Sequence, residues 1–204
     1  ESQTFVAASE ASPEGRTANV KTVATYPRDL FATTRWHDGS PLSMGDMVMS
    51  LIMTFDQAKE ASAIYDEVQV PALESFMSTF KGLRITSEQP VTIEYYTDNW
   101  ALDAENAGAT LWPYYGYGEA KWDAIAIGVM GEAKGLAAFS ADKATDKEIE
   151  QYSYIAGPTL ETLTAQLEEA TANNTLPCEM TASGRVGSKN GDFAPVTIGS
   201  TGLH

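Results

Sequence analysis

Cysteine is almost missing: Cys178 is the one thiol in 204 residues. An intrachain disulfide is therefore excluded, and a cysteine zinc site lacks its ligands. Cys178 reads as a small hydrophobe. Histidine is nearly as scarce, with His37 in a turn and His204 at the end of the chain. Neither a HExxH metal pair nor a serine–histidine triad can be assembled from them. Basic side chains are few, 13 Lys and Arg against 28 Asp and Glu. The net charge of −15 argues against nucleic acid, whose phosphates are neutralised by clustered cations. It reports solubility before it reports a cationic ligand. No run approaches the roughly 18 consecutive apolar residues of a membrane span. Glu1-Ser2-Gln3 does not open a basic, then apolar leader. GxSxG, P-loop and GxGxxG patterns are also missing, and Asp66-Glu67 and Glu168-Glu169 read as solvated faces, not as a glycosidase pair. No enzyme activity, cofactor or metal site is expected.

What the sequence does have is 43% hydrophobic and 10% aromatic residues, enough for one large domain or two small ones. Its most informative stretch runs from Arg35 to Phe55. Asp38-Gly39 is a strong turn dipeptide, since Gly tolerates positive φ and Asp can accept from the backbone ahead of it. Ser43 reads as an N-cap, with Asp46 completing a capping-box-like pair at the positive end of a helix dipole. Met44, Met47, Val48, Leu51, Ile52 and Phe55 then recur at helical period, which predicts an amphipathic helix over 44–56.

Trp36, Asp38, Gly39, Pro41, Leu42, Ser43, Asp46, Val48 and Ser50 together resemble the W-x-D-G-x-P-L-T/S-x-x-D-x-V-x-S signature of family 5 extracellular solute-binding proteins. These are the receptors of peptide, dipeptide and nickel ABC importers. Phe80–Ile85 and Val91–Tyr96 look like the paired strands that follow this helix in the family. The run from Trp122 through Phe139–Ala144 to Ile155–Glu161 resembles a subgroup of long family 5 receptors. The resemblance spans about residues 20–175. It implies a mixed α/β, type II periplasmic-binding-protein-like fold, of which this chain is expected to be a piece, roughly one lobe. It further implies capture of a peptide or other small solute outside the cytoplasm and delivery to an ABC permease, the full-length receptor being anchored to the membrane as a lipoprotein. A piece without its second lobe can pair with itself to cover the surface that lobe would bury. Nickel is disfavoured as the solute by the shortage of His and Cys.

The expected organisation is an irregular lead-in over 1–15, a partial lobe over 16–178 and a loosely structured tail over 179–204. The lobe is expected to be β-rich over 16–97 and helical over 98–178. A strand is predicted over 18–25, a short helix over 71–80, and a hairpin turning at Ser87–Pro90. In its second strand Val91, Ile93 and Tyr95 share a buried face. The 44–56 helix is expected to extend or restart over 58–65. Trp122, Ile125, Ala126, Val129, Met130 and Ala133 predict a second long helix. Its Gly128 and Gly131 cost about 1 kcal/mol each relative to Ala, so a neighbour packed closely against them is the expected compensation. Thr145 with Glu148 predicts a third capped helix ending at Gly157-Pro158. Leu160, Leu163 and Leu167 predict a fourth, ending near Asn173.

Recognition is expected, if anywhere, in the aromatic block, where Trp112, Tyr114, Tyr115 and Tyr117 are the candidate ligand-binding residues. Such rings offer large rigid contact area, and Tyr adds an orienting hydroxyl. The favoured plainer reading is that these rings cap the hydrophobic ends of neighbouring helices, and Trp36 is read as a core anchor beside its turn. The alternative to a receptor is a non-catalytic protein-interaction module using the 112–117 loop.

Overall fold

A computed structural model describes residues 14, 15, 17–103, 105 and 120–173, with the backbone of short strands at 175–176, 179–180, 186–187 and 196–197. The class is mixed α/β, as expected. Among the described residues no helix is long and apolar enough to cross a membrane. The described residues fall into two compact units, one drawn from 5–43 and 71–114, the other from 44–70 and 115–204.

The first unit is a three-stranded antiparallel sheet of β1 (Val20–Thr25), β2 (Phe80–Glu88) and β3 (Val91–Thr97), in the order β1-β3-β2. The period-two pattern of β3 sets the register. Val91, Ile93, Tyr95 and Thr97 are buried on one face while Thr92, Glu94 and Tyr96 lie half-buried on the other. Each fully buried apolar side chain here contributes about 1.5–3 kcal/mol relative to exposure. On the outer face Lys21 lies opposite Tyr96, and its Nζ sits 2.5 Å from Glu94 Oε1. The Tyr96 hydroxyl donates to Glu94 Oε2 at 2.6 Å. Asp98 closes one end of the sheet, accepting from the Asn19 amide and pairing with Lys81, both at 3.0 Å. The hairpin turn falls at Gln89-Pro90, inside the predicted turn. Between β1 and β2 in sequence come the single helical turn α1 (Leu30–Thr33), after β1, and α3 (Val70–Thr79), which leads straight into β2.

The second unit is helical. It contains α2 (Met44–Gln57), α4 (Trp122–Ala133) and α6 (Thr159–Asn173), with a small parallel pair β4 (Ala137–Ala138) and β5 (Glu150–Gln151) joined through α5 (Ala141–Lys147). Backbone pairs β6 (Thr175–Leu176) with β9 (Val196–Thr197), and β7 (Glu179–Met180) with β8 (Val186–Gly187), are antiparallel. Its core gathers Met49, Ile52, Met53, Ile64, Ile125, Ala126, Ile127, Val129, Phe139 and Ala170.

Several expectations need correction. The 44–56 helix stops at Gln57 and does not restart over 58–65, where backbone turns from Asp56 to Lys59 and from Lys59 to Ser62 take over. The apolar stripe is also wider than predicted. Met49 and Met53 are among its most buried residues, whereas Met47, Val48 and Phe55 are half-buried, because α2 is covered on more than one face. Thr145 is not a cap. Ser140 caps α5, its Oγ accepting from the Lys143 amide, while the Thr145 hydroxyl turns back onto the Ala141 carbonyl. Glu148 is the left-handed C-cap, at φ +54°, so α5 ends at Lys147, well short of Gly157. On α6 the buried residues are Thr159, Gln166 and Ala170, with Leu160 and Leu167 exposed.

The expectation for Gly128 and Gly131 holds. A Cβ on Gly128 would lie 2.6 Å from the Tyr154 hydroxyl and 2.9 Å from Phe139 Cζ, and one on Gly131 would collide with the Tyr152 hydroxyl. Phe139 and Tyr152, with ring centroids 5.1 Å apart, lie against the glycine face of α4. The Tyr152 hydroxyl donates to the Gly128 carbonyl at 2.8 Å, a contact a side chain would obstruct.

Candidate functional site

The Arg35–Pro41 segment forms a small hairpin. A β-bridge joins Arg35 to Pro41, the Trp36 amide donates to the Ser40 carbonyl, and the Gly39 amide returns to the Trp36 carbonyl, both at 2.9 Å. Gly39 has φ +85°, which explains the glycine, and Asp38 Oδ1 accepts from both the amide and the hydroxyl of Ser40. His37 is exposed on this turn, and Trp36 is half-buried with its indole Nε1 enclosed.

Asp46 lies in the first turn of α2 and reaches outside its own helix. Its Oδ1 accepts the Trp122 amide at 2.9 Å across 76 residues, so a carboxylate of α2 satisfies an otherwise orphaned N–H at the start of α4. Lys121 and Asp123 pair at 3.1 Å beside it. Replacing Asp46 by Ala is expected to cost about 1 kcal/mol, as for loss of an N-cap, read as a lower midpoint in denaturant with unchanged slope.

The most unusual arrangement is a buried polar cluster between α4, α5 and the turns after α2. The Glu132 side chain is fully buried, and its Oε1 lies 2.5 Å from Lys143 Nζ. Its Oε2 accepts the Phe139 amide at 2.9 Å. Lys143 Nζ also donates to the Tyr65 carbonyl at 2.7 Å. Next in the chain, Asp66 is buried: Oδ1 accepts the Val68 amide at 3.2 Å, while Oδ2 has no donor among the described residues. The Asp66 amide donates to the Gln57 carbonyl at 2.7 Å, and the buried Gln57 Nε2 likewise has no acceptor there. Burial pushes the Glu132 carboxyl up, opposed by Lys143 and the Phe139 amide and reinforced by the charge of Asp66.

Sequence reasoning missed this cluster. Asp66 is buried where a solvated face was expected, although Glu67 beside it is exposed. The available signal was Glu132, an acid in a helix apolar on every side from Ile125 to Met130. A separate shallow surface groove of about 640 Å³ has Leu136, Ala144 and Ile149 in its lining and carries Glu148 and Glu150. Trp112, Tyr114, Tyr115 and Tyr117 lie outside the described residues. Among the described residues no group of three or more His, Cys, Asp or Glu could hold a metal ion.

Compared with protein-family models, curated proteins and solved structures, the chain matches none.

Proposed function

We propose that the chain belongs to the substrate-binding component of an ABC importer, which captures a peptide or other small solute outside the cytoplasm and passes it to a membrane permease. The observation that carries the reading is the Arg35–Phe55 segment. Its signature residues occupy distinct structural positions: Asp38-Gly39 the hairpin turn, Asp46 the tie to Trp122, and Ser50 the buried side of α2. The mixed α/β class is compatible with a binding-protein lobe. Binding would proceed by hinge closure, in which a solute favours the closed state only through contacts that both lobes supply. Trp112, Tyr114, Tyr115 and Tyr117 are the proposed ligand contacts. No catalytic step is proposed.

The test is calorimetric titration of the whole gene product with di-, tri- and oligopeptides, sugars and nickel chelates. One-to-one binding of peptides is expected, weakened tenfold or more when Tyr114 and Tyr115 are both changed to Ala, the loss typical of aromatic anchors. A product that binds none of these solutes but forms a defined complex through the 112–117 loop would favour the interaction-module reading.

A further inference from the structure

The two outer edges of the three-stranded sheet are unlike each other. β2 shifts register between Phe80 and Gly82 and again between Ile85 and Ser87, the kind of irregularity that blunts an edge. β1 runs against β3 from Val20 to Thr25 with no such shift, and among the described residues no strand pairs with its other side. The Tyr26 amide donates to the Val91 carbonyl at 2.9 Å, which fixes the alternation along this ladder. Val20, Thr22 and Ala24 therefore bond to β3, while the amides and carbonyls of Lys21, Val23 and Thr25 point outward. The same three residues are exposed, Val23 at 53%. Lysine often guards an open edge, but Lys21 is drawn across the outer face to Glu94 and the Tyr96 ring.

We propose that β1 is a pairing edge for a second copy of this chain, joined antiparallel about a two-fold axis at Val23. The register is self-complementary. It sets Val23 against Val23 and Lys21 against Thr25, so the outward backbone groups of one copy meet those of the other. No other two-fold register pairs these three residues among themselves. A shift one way leaves Thr25 facing Asn19, whose amide is already held by Asp98. A shift the other way sets Lys21 against Pro27, which has no N–H to give. At the seam Val23 meets Val23 between two Lys21–Glu94 pairs, each already neutral, so no like charges are brought face to face. A single strand edge is a small interface, and the dimer is accordingly weak and concentration-dependent. The pairing is independent of the receptor reading.

The experiment is sedimentation equilibrium of the full chain over a range of concentrations, in salt that screens the net charge of −15 on each copy. The mass should rise from one chain towards two as concentration increases. Val23→Pro removes the outward N–H at the centre and leaves the ladder to β3 intact, an edge position where proline is tolerated. Val23→Lys sets like charges directly opposite each other. Either change should weaken the dimer about tenfold or more. Hydrogen exchange should show the Lys21, Val23 and Thr25 amides gaining protection with concentration, while those of Thr22 and Ala24 stay protected throughout. A chain that remains single at every concentration overturns the proposal. So does a dimer that leaves those three amides unprotected, or one that Val23→Lys leaves intact. Should Val23→Pro not fold, Val23→Lys decides alone.

Discussion

Gly128→Ala is expected to destabilise the chain by about 1–3 kcal/mol, the usual cost of overpacking a filled interior. The sign is the informative part. In an open helix the same change would add about 1 kcal/mol, because alanine is the better helix former. Here the new methyl meets Phe139, which is 2% exposed and backed by the core, so its ring has nowhere to go. Each kcal/mol should lower the melting temperature by about 2–4 °C in a chain of this size. Gly82→Ala in β2 is the control, since nothing lies within 4 Å of the added Cβ and φ is not positive. That change should be neutral or stabilise by up to about 1 kcal/mol. A Gly128→Ala chain that melts higher than the unchanged one would show that the aromatic face of α4 is not packed as described.

Lys143→Met should cost about 3–5 kcal/mol at neutral pH, because it leaves the Glu132 carboxylate buried without its cation. The methionine keeps much of the lysine stem's packing, so the loss reports the charge. Burial holds the Glu132 carboxyl above the ordinary glutamate range in the folded chain. A carboxyl raised on folding adds stability below its unfolded value and loses that contribution as pH rises through its folded value. Stability from this group should therefore grow as neutral solution is acidified towards the ordinary carboxylate range. The Lys143→Met penalty should shrink over the same window, since a protonated Glu132 no longer needs the ammonium. Denaturant melts at several pH values read both effects. Lys147→Met is the comparison: its pair with Asp146 is exposed, at 61% and 71%, so solvent screens it and its loss should leave the denaturation midpoint essentially unchanged. Equal penalties for the two lysines would refute the buried pair.

Much of this fold was legible because local patterns and tertiary packing agree. The alternation of Val91, Ile93 and Tyr95 gave β3 its buried face, and two glycines in α4 signalled a close neighbour, which the structure supplies as aromatic rings. Where local and long-range partners compete, the sequence misleads. Thr145-x-x-Glu148 has the wording of a capping box, yet Ser140 starts the helix five residues earlier and Glu148 ends it. Asp46 reads as a local capping residue, and only the fold reveals that it serves an amide 76 residues away. Lys143 reaches the Tyr65 carbonyl across 78 residues while also holding Glu132, and no spacing rule could bring those groups together. The Leu160 and Leu167 stripe of α6 failed for a simpler reason: helical period marks a face but not which face meets the core.

The most direct test of the receptor reading is a thermal-shift screen of the whole gene product against di-, tri- and oligopeptides, sugars and nickel chelates. A true solute at about 100 times its dissociation constant should add about 2.7 kcal/mol of apparent stability, seen as a higher melting temperature. Stabilisation by peptides, graded with peptide length and absent with nickel chelates, is the predicted result. A melting temperature that no solute moves would contradict it.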